Sequence, residues 1–185
     1  MEEDACLVAA LRAGDEAAAR ELVGRYGDSM LRVAGSLVGS PALAEDVVQE
    51  TWLAVLRGIE RFEMRSSLRT WVFRILVNKA RTMAAWNQRT IVFSELPPGH
   101  PAHSPRQEGP EDRAVATESL TVVRETIDRL PAAQSAVIVL RDLHGWSAEE
   151  VSDVLRVSRG NQRVLLHRAR GQVRASLDDY LSGAA

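Results

Sequence analysis

Five of the seven prolines in this 185-residue chain (Pro97, Pro98, Pro101, Pro105 and Pro110) fall between Leu96 and Glu111. A proline inside a helix removes a hydrogen bond and clashes with the preceding turn, and one inside a central strand removes a ladder donor. Gly99, Ser104 and Gly109 stand among them, and no hydrophobic period survives across the stretch. The chain is therefore expected to fold as two small domains, 1–89 and 112–185, joined by a flexible proline-rich linker at 90–111. Each domain lies near the lower size limit for a self-sufficient core.

Both flanking segments read as helical, so the expected fold class is all-α. Strand alternation is scarce, and no Asn-Gly hairpin signal separates apolar runs. Ser40-Pro41 starts a helix, with Ser40 as N-cap and proline at its first position. Behind it Ala44, Val47, Val48, Thr51, Val55 and Ile59 recur at helical spacing. Ser66 or Ser67 caps the next helix, whose apolar stripe is Leu68, Trp71, Val72, Ile75 and Leu76. Upstream, breaks are expected near Gly14-Asp15 and Gly27-Asp28. In the second domain Leu120, Val123 and Ile127 mark one helix. Pro131 opens another with Val137, Leu140 and Leu143, which Gly145 ends. Ser147 with Glu150 three residues on makes a capping box for a short helix carrying Val151, Val154 and Leu155. The turn Arg156-Val157-Ser158 then leads into a last helix running to about Leu177. Short helix, tight turn and long helix form a helix-turn-helix outline.

Net charge is only −2, so a partner of one sign must be met by segregated charge. Residues 1–60 hold eleven acids and five arginines. Residues 61–94 reverse this, with Arg61, Arg65, Arg69, Arg74, Lys79, Arg81 and Arg89 against Glu63 alone. The last helix, 158–177, carries Arg159, Arg163, Arg168, Arg170 and Arg174 and no acid. Basic blocks of this kind suit a polyanion, because each phosphate contact releases counterions. On the last helix Arg163, His167, Arg170 and Arg174 share one face, and Leu166, Ala169, Val173 and Leu177 share an adjacent apolar one. Ser158, Arg159, Asn161, Gln162 and Arg163 stand at its N-terminal end, where a recognition helix meets base edges. Asn and Gln can pair with adenine, and Arg with guanine.

Other chemistries find little support. The single cysteine, Cys6, can form neither an internal disulfide nor a cysteine-rich zinc site. His100 and His103 have no ligand partners at metal spacing, so no metal or cofactor is expected. Asp46 and Glu50 are one helical turn apart but lack a partner base, and no phosphate loop or nucleophile motif appears. No stretch approaches the roughly 18 apolar residues of a membrane span, and the acidic Met1-Glu2-Glu3-Asp4 start is unlike a secretory signal. A cytoplasmic protein without membrane insertion is expected.

Two runs resemble a known family. Ala44-Glu45-Asp46-Val47-Val48-Gln49-Glu50-Thr51-Trp52-Leu53, Phe62, and Ser66-Ser67-Leu68-Arg69-Thr70-Trp71-Val72-Phe73-Arg74 continuing to Arg81 resemble the first domain of extracytoplasmic-function RNA polymerase sigma factors. Leu130-Pro131-Ala132-Ala133-Gln134, Val139 to Ser147, Glu150-Val151 and His167-Arg168-Ala169-Arg170 resemble their second. The resemblance implies a non-enzymatic factor that binds core RNA polymerase and directs promoter recognition and initiation. It implies that Asp46, Gln49 and Glu50 dock on the polymerase. The −10 element would be met by Arg61, Arg65, Ser66, Ser67, Arg69, Arg74, Asn78, Lys79 and Arg81, with an unstacked base held near the 63–67 loop. The −35 element would be read as duplex by Ser158, Arg159, Asn161, Gln162, Arg163, His167, Arg170 and Arg174. An anti-sigma factor is implied as a further partner. The residues alone leave open a dimeric helix-turn-helix repressor or activator and, more remotely, an all-α enzyme.

Overall fold

A computed structural model describes the backbone of residues 2–91 and 112–183 and the side chains of 3–85 and 118–182. The expected linker, apart from its first two residues, therefore lies outside the described residues, as do His100 and His103. All the regular structure described is helical: α1 (Glu2–Arg12), α2 (Glu16–Val38), α3 (Pro41–Gly58), a 3₁₀ turn (Ile59–Arg61), α4 (Leu68–Ile91), α5 (Asp112–Arg129), α6 (Ala132–Ile138), a π-helical turn (Val139–Leu143), α7 (Ala148–Leu155) and α8 (Arg159–Gly183). The chain forms two compact units, the first built on α1–α4 and the second on α5, α6, α8 and the start of α7.

In the first unit α2, α3 and α4 pack pairwise on one another, with α1 laid against α2 and the 3₁₀ turn. Because α4 faces two helices, it needs a wide apolar arc. Leu68, Val72, Phe73, Leu76, Val77 and Ala80 are all buried. The stripe is rotated from the expected one, so that Trp71 and Ile75 stand half-buried at its edge. Trp71 is a packing residue: it stacks on Phe62 with ring centroids 4.7 Å apart. Gly58 makes room for it, since a Cβ there would lie 3.2 Å from the indole Cζ2. Thr51 is fully buried, yet its hydroxyl donates to the Val47 carbonyl at 2.6 Å, which removes the penalty for burying it.

One of the expected breaks is absent. The break near Gly14-Asp15 is present, with Gly14 at φ +77° and Asp15 capping α2 through the Ala17 amide. The break at Gly27-Asp28 is absent, and α2 runs unbroken to Val38. Leu22, Tyr26, Met30, Val33 and Ala34 keep a continuous buried face through it, and that burial outweighs the local cost of glycine. Ser40 precedes α3 in extended conformation, but its hydroxyl makes no cap bond; Pro41 at the first position defines the start.

In the second unit α5 and α6 both pack on α8. Ile127, Leu130, Ala136, Val137, Leu140, Leu166 and Ala169 are buried. Leu120 and Leu143, expected in the core, are 56% and 52% exposed. For Leu143 the cause is the π turn. The His144 amide reaches back five residues to the Val139 carbonyl at 3.1 Å, which shifts the helical phase and turns Leu143 outward. Gly145 at φ +65° ends the turn, and Trp146, 2% exposed, seats in the core. The last helix runs on to Gly183, past the expected end near Leu177.

Because Gly27 sits mid-helix with only Val23 Cγ1 at an ordinary 3.9 Å from a built Cβ, Gly27→Ala is expected to stabilise the protein by roughly 0.5–1 kcal/mol. Urea denaturation followed by circular dichroism measures this. A destabilised variant would mean that the helix is interrupted there.

Candidate nucleic-acid and polymerase interfaces

Three groups of side chains stand out, two in the first unit and one in the second. The first is the outer face of α3. Its inner positions, Val47, Val48, Thr51 and Val55, are buried, so the 3.6-residue period turns Asp46, Gln49, Glu50 and Leu53 outward. With Lys79, Arg81, Thr82, Met83 and Ala85 of α4 they line a groove of about 880 Å³. Lys79, expected with the DNA contacts, lines this groove together with Arg81, and its Nζ stands 2.9 Å from Glu50 Oε2. Lys79 and Glu50 lie on adjacent blocks of opposite charge in sequence, and only helix packing joins them. The lysine holds the Glu50 carboxyl below the ordinary carboxylate range, first by its hydrogen bond and then by its charge. Leu53 and Leu56, which charge reasoning passed over, are 46% and 50% exposed beside the acids.

The second group is the turn from α3 into α4. Arg61, Glu63, Met64, Arg65 and Ser67 are exposed, and Ser66 is half-buried. Met64 is held at φ +55°, a left-handed conformation that costs a non-glycine residue of order 1–2 kcal/mol. Arg65 pairs with Glu63 at 2.5 Å, both side chains well exposed. Ser67 caps α4: its hydroxyl accepts from the Thr70 amide at 3.1 Å. On α4 itself Asn78 and Arg81 are exposed, while Arg69 and Arg74 are half-buried.

The third group is the helix-turn-helix. The expected capping box is formed, with the Ser147 amide donating to Glu150 Oε2 at 2.8 Å and the Glu150 amide to Ser147 Oγ at 3.1 Å. Arg156 takes the turn at φ +50°, and Ser158 Oγ accepts from the Asn161 amide at 3.2 Å. Arg159, Asn161, Arg163, His167, Arg170 and Arg174 are all exposed along α8. Gln162 is not among them. It is 3% exposed, and its Nε2 has no hydrogen-bond partner among the described residues. The spacing 162, 166, 169, 173 puts it on the inner face with Leu166 and Ala169, a periodicity legible in the sequence but overridden by its polar type. Two of the exposed arginines are neutralised internally: Arg170 makes two hydrogen bonds to Asp142 at 2.7 and 2.8 Å, and Arg159 meets Glu149 at 2.9 Å. Val164, 45% exposed between Arg163 and Arg168, is an apolar member of this surface that sequence reasoning missed.

Among the described residues no cluster of His, Cys, Asp or Glu could hold a metal, and no helix is long and apolar enough to cross a membrane.

Comparison with known proteins gives these surfaces their context. The profile for sigma-70 region 2 matches residues 22–90, and that for sigma-70 region 4 matches 120–173. The extracytoplasmic-function (ECF) RNA polymerase sigma-E factor of Haemophilus influenzae is 31% identical over 92% of this chain and 93% of its own. The RNA polymerase sigma factor CnrH of Cupriavidus metallidurans is 31% identical over 95% and 94%. The solved sigma factor RpoE, crystallised with the anti-sigma factor NepR from Bartonella quintana, superposes with a TM-score of 0.72 at 25% identity, covering 86% of this chain and 96% of that one. A two-region helical protein with a helix-turn-helix in the second region is thus a sigma factor of the sigma-70 class. The chain belongs to its extracytoplasmic-function family, and it is a promoter-recognising initiation factor of RNA polymerase.

The Lys79–Glu50 pair has a definite pH dependence. A carboxyl whose folded pKa is depressed stabilises the fold above its unfolded value of about 4.3 and loses that contribution as pH falls through the folded value. The stability difference between the parent protein and Glu50→Gln is therefore expected near neutrality and to vanish in acid below that window. Thermal unfolding across pH checks it; a difference that persisted in acid would rule the pair out as its source.

Proposed function

We propose that residues 1–89 bind core polymerase and the −10 element, that residues 112–185 read the −35 element, and that 90–111 connect them. The polymerase docking surface is the α3 face of Asp46, Gln49 and Glu50, extended by Leu53 and Leu56. An acidic surface with apolar members suits a protein partner and repels DNA. The −10 element meets Arg61, Arg65, Ser66, Ser67, Arg69, Arg74, Asn78 and Arg81, with the 63–67 loop receiving an extruded base. Extrusion costs a few kcal/mol, which backbone charge and stacking offset.

On α8 the base-reading set is Arg159, Asn161 and Arg163, with Val164 available to a thymine methyl group. His167, Arg170, Arg174 and the Ser158 turn hold phosphates. Gln162 is excluded by its burial and instead seats the helix. The factor performs no chemistry of its own, acts in the cytoplasm beside the polymerase, and is restrained by an anti-sigma factor; the relative RpoE was crystallised in complex with one.

The observation that carries this reading is the segregation of charge: an acid-bearing α3 face in one unit, and on α8 an exposed row that includes Arg163 and Arg174, neither of which has an ion-pair partner among the described residues. Arg163→Ala combined with Arg174→Ala should weaken −35 duplex binding by the reconstituted holoenzyme. It should also flatten the salt dependence, by about one unit of log–log slope for each phosphate no longer neutralised. Core affinity should stay unchanged; weaker core binding would mean that the row faces protein.

Asp46→Ala combined with Leu53→Ala should lower core affinity about tenfold or more, the scale of truncating one or two side chains in an interface. Competition against an unaltered copy for core polymerase reads this out. Full competition with defective promoter opening would move the role of α3 from docking to melting.

A further inference from the structure

We propose that α1 braces the 63–67 loop, with Asp4 and Arg12 as positioning residues that set the loop for single-stranded DNA. This rests on reading that loop as the −10 base-receiving segment. α1 precedes the region 2 match, which begins at residue 22, and neither the docking face nor the basic surfaces call on it.

The geometry is a latch at both ends of one loop. Arg12 Nη2 donates to the Phe62 carbonyl at 2.6 Å, and its Nε donates to the Ile59 carbonyl at 3.1 Å. Those carbonyls close the 3₁₀ turn just before the loop. At the far side the Leu68 amide, first of α4, donates to Asp4 Oδ2 at 3.1 Å. The charges match the ends they hold: a cation over terminal carbonyls and an anion over a helix N-terminus. Asp4 and Arg12 are two turns apart on α1, about 12 Å along its axis at 1.5 Å per residue.

α1 is itself anchored. Leu7, Val8 and Leu11 are buried, and Arg25 of α2 holds Glu3 at 2.8 Å. Ser67 satisfies a different amide, that of Thr70. Asp4 therefore adds an anchor from outside the loop and does not duplicate the local cap. Between the latches Met64 sits at φ +55°. Such a conformation persists only where the surroundings over-determine it. Both ends of this short segment are fixed from α1, and that is the constraint the strained residue needs. The loop is thereby preorganised, and the cost of ordering it is met in folding instead of on binding DNA.

The test uses holoenzyme reconstituted from core polymerase and the full chain. A single-stranded DNA pool with randomised positions is selected on the parent holoenzyme and sequenced, which gives a preference at each base. Asp4→Ala, which removes one charge-assisted hydrogen bond, and Arg12→Ala, which removes two, should each flatten the preference at the extruded-base position about tenfold or more. Affinity for core should be unchanged. Asp4→Asn keeps an oxygen acceptor for the Leu68 amide and should restore the preference; Arg12→Lys should restore part of it.

A direct loop variant, Arg65→Ala with Ser66→Ala, separates the two readings. If it loses the preference while Asp4→Ala and Arg12→Ala keep the parent profile, the brace is overturned and the loop assignment stands. If the loop variant also keeps the profile, the loop assignment falls and the brace with it. A parallel drop in core affinity in Asp4→Ala and Asp4→Asn would reduce α1 to general scaffolding and likewise overturn the proposal.

Discussion

The first unit depends on burying one broad side of α4. Six of its side chains, Leu68, Val72, Phe73, Leu76, Val77 and Ala80, are removed from water between α2 and α3. At about 25 cal/mol per Å² of apolar surface, such burial outweighs any single polar contact in the unit. It also decides where everything else must be. With α4 pinned along its length, its first amides emerge beside α1, and its far end lines the groove with α3. Trp71, pressed between Phe62 and the space left by Gly58, closes the corner from which the 63–67 loop departs.

Charge arrangement is a second layer laid over that packing, and its energetic scale is different. The ion pairs on these surfaces are mostly exposed, and pairs of that kind are worth roughly 0–1 kcal/mol. They contribute little to stability and can be exchanged for phosphate at small cost. Arg170, doubly bonded to Asp142, is the better fixed of the α8 cations, and its arrangement ties α8 to the π turn as well as offering charge. The Lys79–Glu50 pair has a sharper consequence. It places a cation beside the acidic face of α3, so that surface is less uniformly negative than the residue order suggests.

Much of this was legible in the residues. The proline cluster announced two units, the capping box at Ser147 and Glu150 formed as expected, and buried positions at helical spacing on α3 exposed Asp46, Gln49 and Glu50. What failed has specific causes. Gly27-Asp28 carries the local signature of a break, but long-range burial along α2 overrides it. The π turn at Val139–Leu143 shifts the phase that puts Leu143 outside, and nothing in a period of 3.6 signals it. Gln162 has the chemical type of a base reader, but its spacing places it with Leu166 and Ala169.

The sequence alone therefore determined the all-helical class, the helix starts set by local caps, most inward positions of α3 and the division of charge along the chain, because these follow from short-range periodicity and local caps. The tertiary structure decided which distant groups meet: Lys79 with Glu50, Arg12 with the Phe62 carbonyl, Asp4 with the Leu68 amide. Those partners lie 29, 50 and 64 residues apart. No local rule encodes them, since each depends on how whole helices settle once their apolar sides are buried.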